Sequence, residues 1–169
     1  MRLIESTILA LLLFSVAGAD PRTVKGLYRN PALGYSVKVP QGLIGEAGDQ
    51  SGPERGLEFS LPSGGTISVY GEPNSLEWKR PVEGVERVLA GEKCDGERRR
   101  EIGKAQVGKL IGAMGRLACD NKVLQVLLAF RSAGGPIYWL TLRTNPTHQH
   151  EDELIFKQFA TTFKLIHWQ

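Results

Sequence analysis

The sequence predicts an α+β fold: a single, largely antiparallel sheet flanked by two helices, in an α/β/α sandwich. Segments that alternate apolar and polar residues recur along the chain, and short turns rich in Gly, Pro and Asp join them. Two other segments carry apolar residues at helical spacing. Strands joined by tight turns pair antiparallel, and each amphipathic helix must bury its apolar face against the sheet.

Residues 1–19 have the order of a cleavable secretory signal. Arg2 supplies a positive charge, residues 8–17 (ILALLLFSVA) form a largely apolar run, and residues 17–19 (AGA) form a small-residue cleavage site. A membrane-spanning helix needs about 20 apolar residues, so this run is too short to be an anchor. We therefore expect cleavage after Ala19 and a periplasmic or secreted protein.

Residues 20–169 have the length of one domain with a single core. The formal net charge is only +3, and the signal holds one Arg and one Glu, so its removal leaves that charge unchanged. A nucleic-acid partner needs a concentrated basic face, and this balance argues against one. No later stretch is long and apolar enough to cross a bilayer, so no transmembrane segment is expected after the signal.

The first segments of the domain alternate between short strands and loops. After a polar linker at 20–25, an ordered piece is expected at 27–29 and a half-buried strand at 35–39. The segment 45–55 (GEAGDQSGPER) is rich in turn-forming residues and predicts a surface loop.

A hairpin and a helix follow. Strands at 57–61 and 66–70 flank a short Gly-rich turn and are expected to pair antiparallel. Pro81 suits the first turn of a helix and Gly91 suits the position just past its end. Apolar residues at helical spacing between them predict the face that packs on the sheet.

Residues 97–144 predict strands throughout. The stretch 123–130 (VLQVLLAF) is apolar on both faces and predicts a central strand, and 137–144 (IYWLTLRT) predicts its neighbour. A second helix is expected to start near Asn145, with Thr147 as a candidate cap, and to leave a short closing segment at 163–166.

Two cysteines, Cys94 and Cys119, remain after the signal. Behind a secretory signal an isolated pair favours a disulfide, and two unpaired buried thiols are the alternative. A hairpin of 96–104 with 109–119, turning near residues 106–107, would place the two cysteines opposite each other at its open end. A Cα–Cα separation above about 7 Å would exclude that hairpin.

Three segments resemble the PsbP-like superfamily: the opening 28–40 (YRNPALGYSVKVP), the late strand 135–142 (GPIYWLTL) and the closing 156–165 (FKQFATTFKL). This superfamily includes the oxygen-evolving P subunit of photosystem II, a Ran-binding nuclear import factor and bacterial secreted proteins. The resemblance implies a PsbP-like domain over 20–169. Because such proteins are mostly accessory, adaptor or assembly factors, it also implies binding without catalysis, and no photosynthetic role is carried over.

The main candidates for chemistry are His148, His150 and Asp152. At helical spacing His148 and Asp152 share a face, which suits a metal site with nitrogen and oxygen ligands. Zinc needs three or four convergent ligands, and His167 is the only further histidine. The alternative is a polar helix start with its acids at the positive end of the helix dipole. No metal and no other cofactor is expected.

No nucleophile or phosphate-binding motif is present, so no catalytic residue is expected. Four glycines lack the context of a phosphate loop and are interpreted as strand bends or bulges. They are Gly103, Gly108, Gly112 and Gly115.

Exposed basic and aromatic residues are the candidates for an interaction surface. Arg98, Arg99 and Arg100 are adjacent, but strand alternation sends Arg99 to the opposite face, and neighbouring glutamates can neutralise the cluster. The candidate residues for this surface are Trp139, Trp168, Arg98 and Arg100. Core packing is the alternative for the tryptophans.

We therefore expect an exported, non-catalytic binding protein that contacts another protein through a face or edge of its sheet. One alternative is a metal-dependent hydrolase centred on His148, His150 and Asp152. Another is a carrier of a small molecule or lipid, which an apolar cavity of several hundred Å³ would favour.

Overall fold

A computed structural model of the chain describes residues 22–48, 56–97, 99–132 and 134–166, so the predicted signal lies outside the described residues. The helices are α1 (Pro81–Gly91) and α2 (Gln149–Thr161). The strands are β1 (Arg22–Val24), β2 (Leu27–Asn30), β3 (Tyr35–Lys38), β4 (Gly45–Ala47), β5 (Gly56–Ser60), β6 (Thr66–Glu72), β7 (Arg99–Val107), β8 (Leu110–Ala118), β9 (Val123–Phe130), β10 (Ile137–Thr144) and β11 (Lys164–Leu165).

The described strands form two sheets, which corrects the predicted single sheet. Eight of them form one antiparallel sheet in the order β1-β4-β5-β6-β10-β9-β8-β7. β2 and β3 pair instead with β11, in the order β11-β3-β2. In this smaller sheet Lys164 lies opposite Ser36. Because these partners are far apart in the sequence, no local pattern predicts their pairing.

The large sheet separates two hydrophobic cores, with one helix over each face. α1 packs on β8 and β9 through the fully buried Val85 and Leu89. α2 packs on β10 and β3 through the fully buried Phe156 and Phe159. The expected placement of helices on both faces of an α+β sheet is thus found, together with the small sheet on the α2 face.

The predicted central strand and hairpin are confirmed. β9 is buried on both faces, with Val126 in the α1 core and Leu127 in the α2 core. β5 and β6 pair antiparallel with Leu57 opposite Val69, as their short connection predicts.

α1 begins at Pro81 as predicted, but Gly91 is its last helical residue and Glu92 is the C-cap, so the helix ends one residue later than expected. Inside it, Gly84 allows the helix to approach the sheet closely. A Cβ at this position would lie 2.8 Å from Trp78 Cζ3 and closer still to the side chain of Leu128. The absence of a side chain therefore lets α1 cover the centre of the sheet.

Two segments predicted to be irregular form an edge of the large sheet instead. β1, within the expected linker, pairs with β4, the start of the expected loop at 45–55. Each strand has only three residues, too few for an alternation of apolar and polar residues to be recognised. Residues 49–55 of that loop lie outside the described ranges.

The predicted cap of α2 is wrong. The N-cap position is His148, which has no side-chain cap bond, and Asn145 Oδ1 accepts a hydrogen bond of 3.0 Å from the backbone N–H of His148. This bond closes the turn at 145–148 that precedes α2, as an Asn side chain commonly does.

The Cys94–Cys119 disulfide is present, with a Cα–Cα distance of 5.5 Å. The register predicted for its hairpin is wrong, because Val107 pairs with Leu110 and the turn lies at 108–109. Gly108, with φ of 58°, supplies the left-handed residue of this turn. Cys94 therefore reaches Cys119 from a turn before β7, where the carbonyl of Asp95 accepts a 3.0 Å bond from the N–H of Asp120.

Candidate functional site

A groove lies between α2 and the outer strands of the large sheet, and we refer to it as the α2 groove. Because α2 packs mainly on β10, it leaves the same face of β7, β8 and β9 partly uncovered. Small residues lie on this face of β7 and β8: Ala105 is opposite Gly112, and Gly103 is opposite Met114. The volume of the groove is about 980 Å³, at the upper end of the range for ligand sites.

The interpretation of the strand glycines as bulges is therefore corrected for β7 and β8. Their pairing is continuous from Arg99 opposite Ala118 to Val107 opposite Leu110. Gly103 and Gly112 lie on the α2 face, and Gly115 lies on the other face, where α1 packs against it. Gly112 and Gly115 allow close packing, Gly103 leaves open space beside the strand, and none of the three marks a bend.

The groove has an apolar floor. Phe156 and Phe163 are buried, Leu127 is 7% exposed, and partly buried residues of β8 extend the surface. Its lining comprises Gln106, Gly108, Lys109, Leu110, Met114, Gln125, Leu127, Phe156, Lys157, Ala160, Thr161, Phe163, Lys164 and Leu165.

One buried amide faces this apolar surface. Gln125 lines the groove and is only 5% exposed. Its Nε2 donates to Met114 Sδ over 3.3 Å, while its Oε1 has no hydrogen-bond partner among the described residues. A buried acceptor without a donor lowers the stability of the folded state by about 1–3 kcal/mol, so Gln125 destabilises the protein when no ligand is bound. A ligand with a hydrogen-bond donor would satisfy it.

The charged side chains of the groove are all basic. Lys109, Lys157 and Lys164 line it, and the lining residues that the structure describes include no carboxylate. Within the described ranges none of these three lysines forms an ion pair or a side-chain hydrogen bond. The groove thus presents uncompensated positive charge beside apolar surface.

Beyond the Gln125 end of the groove lies a compensated charge cluster. Arg116, which lies opposite Gln125 in the sheet, is 3.1 Å from Glu153 on α2 and 3.6 Å from Glu101 on β7. These ion pairs join α2 to the outer strands. Because two carboxylates compensate the charge of Arg116, this side chain is not a candidate for binding an anionic ligand.

The structure does not assemble the candidate metal ligands. Asp152 is only 2% exposed and accepts hydrogen bonds from Ser63 Oγ, at 2.7 Å, and from Thr144 Oγ1. Its carboxylate therefore joins α2 to the β5–β6 turn and the end of β10. His150 is exposed, and His148 Nδ1 lies 3.8 Å from Glu151 Oε2. Among the described residues no cluster of three His, Cys, Asp or Glu could hold a metal ion.

Trp139 does not belong to a surface, which corrects its place among the interaction candidates. It is 2% exposed, its Nε1 donates to Glu72 Oε1 over 2.8 Å, and its ring stacks on Tyr70 with centroids 6.0 Å apart. Burial raises the pKa of Tyr70 to about 12. The tryptophan is core because odd-numbered residues of β10 face α1.

Of the other candidates, Arg100 is exposed and bonded to Glu97, with Nη2 2.8 Å from Oε2. This hydrogen bond lowers the pKa of Glu97. Arg99 pairs with Glu101, so acids neutralise both arginines as the sequence predicts. Arg98 and Trp168 lie outside the described residues.

The sequence analysis considered an apolar cavity only for the carrier alternative and identified none of the residues that line the groove. The signal that was available is Gln125, a polar residue in the middle of an otherwise apolar strand buried on both faces. The lysines gave no signal, because Lys109, Lys157 and Lys164 are separated in the sequence and look like ordinary surface charges.

The architecture now described is that of the PsbP-like fold. Among solved structures, the chain is similar to cyanobacterial PsbP (CyanoP) from Synechocystis sp. PCC 6803, with a TM-score of 0.50 and 15% sequence identity. The likeness covers 90% of this chain and 98% of that one. It confirms the fold that the three sequence segments indicate. No protein-family model and no curated protein sequence matches the chain.

In the described part of the chain, neither helix has the length and hydrophobicity that a membrane crossing requires.

Proposed function

We propose that this protein is an exported, non-catalytic accessory protein that acts by binding, and that the α2 groove holds its ligand. The observation that carries the proposal is the combination of an apolar groove of about 980 Å³, a buried amide oxygen and three lysines, none of which has a partner among the described residues. An apolar groove with a few polar groups is typical of a ligand-binding site, and such a site can bind its ligand without a catalytic residue.

Two features support a role outside the cytoplasm. The Cys94–Cys119 disulfide is compatible with an oxidising compartment, because such bonds persist outside the reducing cytosol. The PsbP-like fold is compatible with an extracytoplasmic accessory protein as well. In this proposal the predicted signal at 1–19 directs the protein to export.

The groove is tested with anilinonaphthalene sulfonate (ANS), an apolar dye with an anionic group. We expect the purified protein to bind one dye molecule per chain, and Thr161→Trp to weaken this binding about tenfold, equivalent to about 1.4 kcal/mol. Thr161 is exposed on α2 and lines the groove, so a larger side chain there occupies the space without entering the core. Fluorescence titration measures the affinity.

The matched control is Ala90→Trp, which adds the same bulk to an exposed position of α1 on the opposite face of the sheet. It should leave the dye affinity unchanged. Equal weakening by both variants, or no saturable dye binding to the folded protein, would contradict the proposal.

A second candidate function, binding of a protein partner at the sheet edge, is favoured by β7. This strand is nine residues long and forms the last position of the described large sheet, so its outer side is available for another strand. Exposed apolar residues lie on the same hairpin: Ile111 is 82% exposed and Ile102 is 38% exposed. Exposed charges such as Arg99, Arg100 and Lys104 protect an edge strand. The exposed Ile102 and Ile111 are therefore the features that favour this candidate.

This second candidate is tested by placing a photo-reactive amino acid at position 111 or at position 90 in the full chain in cells. We expect one discrete covalent adduct from position 111 and none from the α1 control, and Ile102→Ser should reduce the adduct severalfold. The same adducts from both positions would show non-specific contact and sink the candidate.

A further inference from the structure

We infer that the ligand of the α2 groove is a single-chain amphiphile with an anionic head group at Lys157 and an adjacent hydroxyl that donates to Gln125 Oε1. This inference rests on the proposed function, since it names the chemistry of the molecule that the groove holds. A β-hydroxy fatty acid is the simplest compound that carries both features.

The length of the floor favours an extended apolar chain. Gln125 lies opposite Arg116, and Leu127 lies opposite Met114, so the groove runs along β8 and β9. The lining of β8 runs from Leu110 to Met114, four residues of strand, roughly 13 Å at about 3.3 Å per residue. The floor over this length is one apolar track beside α2, which suits one hydrocarbon chain.

The charge of the groove selects an anionic head group. Lys109, Lys157 and Lys164 carry no partners among the described residues, and no acid is among the described residues that line the groove. A cationic ligand would be repelled, and a neutral one would leave the lysines unused.

The position of Lys157 places the head group near Gln125. Glu153 bonds Arg116, the cross-strand partner of Gln125. Lys157 follows Glu153 by one helical turn, about 6 Å along α2. Lys109 and Lys164 lie instead at the opposite end of the groove, in the β7–β8 turn and in β11.

The amide of Gln125 indicates that the ligand carries a hydroxyl group. Its Nε2 already donates to Met114, whereas Oε1 accepts from no described residue. An ionised carboxylate has acceptors only, so a plain fatty acid cannot satisfy Oε1. A hydroxyl beside the carboxylate is a donor at the right end of the molecule.

The test compares β-hydroxypalmitate with palmitate, which differ only in this hydroxyl, by calorimetric titration at concentrations where both are monomeric. We expect the protein to prefer β-hydroxypalmitate about tenfold, and Gln125→Leu to bind both equally. Gln125→Met serves as a second variant, because its flexible side chain fills the same space without the amide. Thermal unfolding checks that each variant is folded.

The lysines are compared in the same assay. Lys157→Gln should weaken both acids about tenfold. The control is Lys104→Gln, which removes the same charge from an exposed position of β7 on the α1 face, outside the groove lining, and should leave both affinities unchanged.

The outcomes separate this inference from the proposed function. If ANS binds in the groove but neither acid binds, or both bind equally to the unaltered protein, the inference is wrong and the binding role stands. Binding to phosphatidylglycerol vesicles without binding to monomeric acid would also overturn it, since the occupant would be a membrane surface. If Thr161→Trp leaves all ligands unaffected, the groove itself is not the site.

Discussion

Replacing Phe163 with alanine is expected to lower the free energy of unfolding by about 3–5 kcal/mol, as for other buried aromatic side chains. Phe163 is 2% exposed, and its ring stacks on Tyr35 and meets the edge of Tyr138, with centroids 5.6 and 5.2 Å apart. It joins the small sheet to the large one and supports the groove, so its removal opens a cavity where three parts of the fold meet. Urea unfolding measures the loss.

Two variants calibrate this result. Phe163→Leu keeps most of the buried volume and should cost only about 1 kcal/mol. Phe130→Ala removes the same ring from a partly exposed position on β9 and should cost clearly less than Phe163→Ala. Equal losses for the two alanine variants would refute the idea that Phe163 occupies a special junction.

Removing the disulfide with Cys94→Ala and Cys119→Ala together is expected to destabilise the protein by about 3.5 kcal/mol. The bridge closes a loop with a sequence separation of 25, and the chain-entropy model gives about this value for such a loop. Because Cys119 is 1% exposed, alanine also removes some packing from the α1 core. Urea unfolding of the oxidised protein and the double variant gives the difference.

Reductant provides the matched control for this prediction. It should lower the stability of the unaltered protein by a similar amount and leave the double variant unaffected. Two alkylatable thiols in protein purified without reductant would show instead that the bridge does not form in the compartment where the protein folds.

The parts of the fold that were predicted from the sequence are those set by local chemistry. Pro81 and Gly91 define α1, and the apolar run 123–130 defines β9, because both depend on neighbouring residues alone. The small sheet was missed because Lys164 and Ser36 have no local relation. The turn between β7 and β8 was placed two residues early, since Gly108 decides its position and several glycines compete in that stretch.

The candidate site could be predicted only in part, because a groove depends on what neighbouring elements fail to cover. Helical spacing puts His148 and Asp152 on one face, but the hydroxyls of Ser63 and Thr144 draw the Asp152 carboxylate inward. Trp139 was a candidate for contact with a partner, but the alternation of side chains along β10 places it in the core beneath α1. Gln125 was visible in the sequence as an exception to its strand, yet its meaning required the position of α2.

The pairing of β3 with β11 has a consequence for how the molecule reaches its native state. Lys38 N–H donates to Thr162 Oγ1 over 2.9 Å, and Ile166 N–H donates to the carbonyl of Gly34 over 2.8 Å. These contacts join segments more than a hundred residues apart, so loop closure over nearly the whole domain must precede them. A chain synthesised from its amino end therefore cannot pair β3 with β11 until residues 162–166 have emerged from the ribosome. The domain thus remains incompletely folded during almost all of its synthesis.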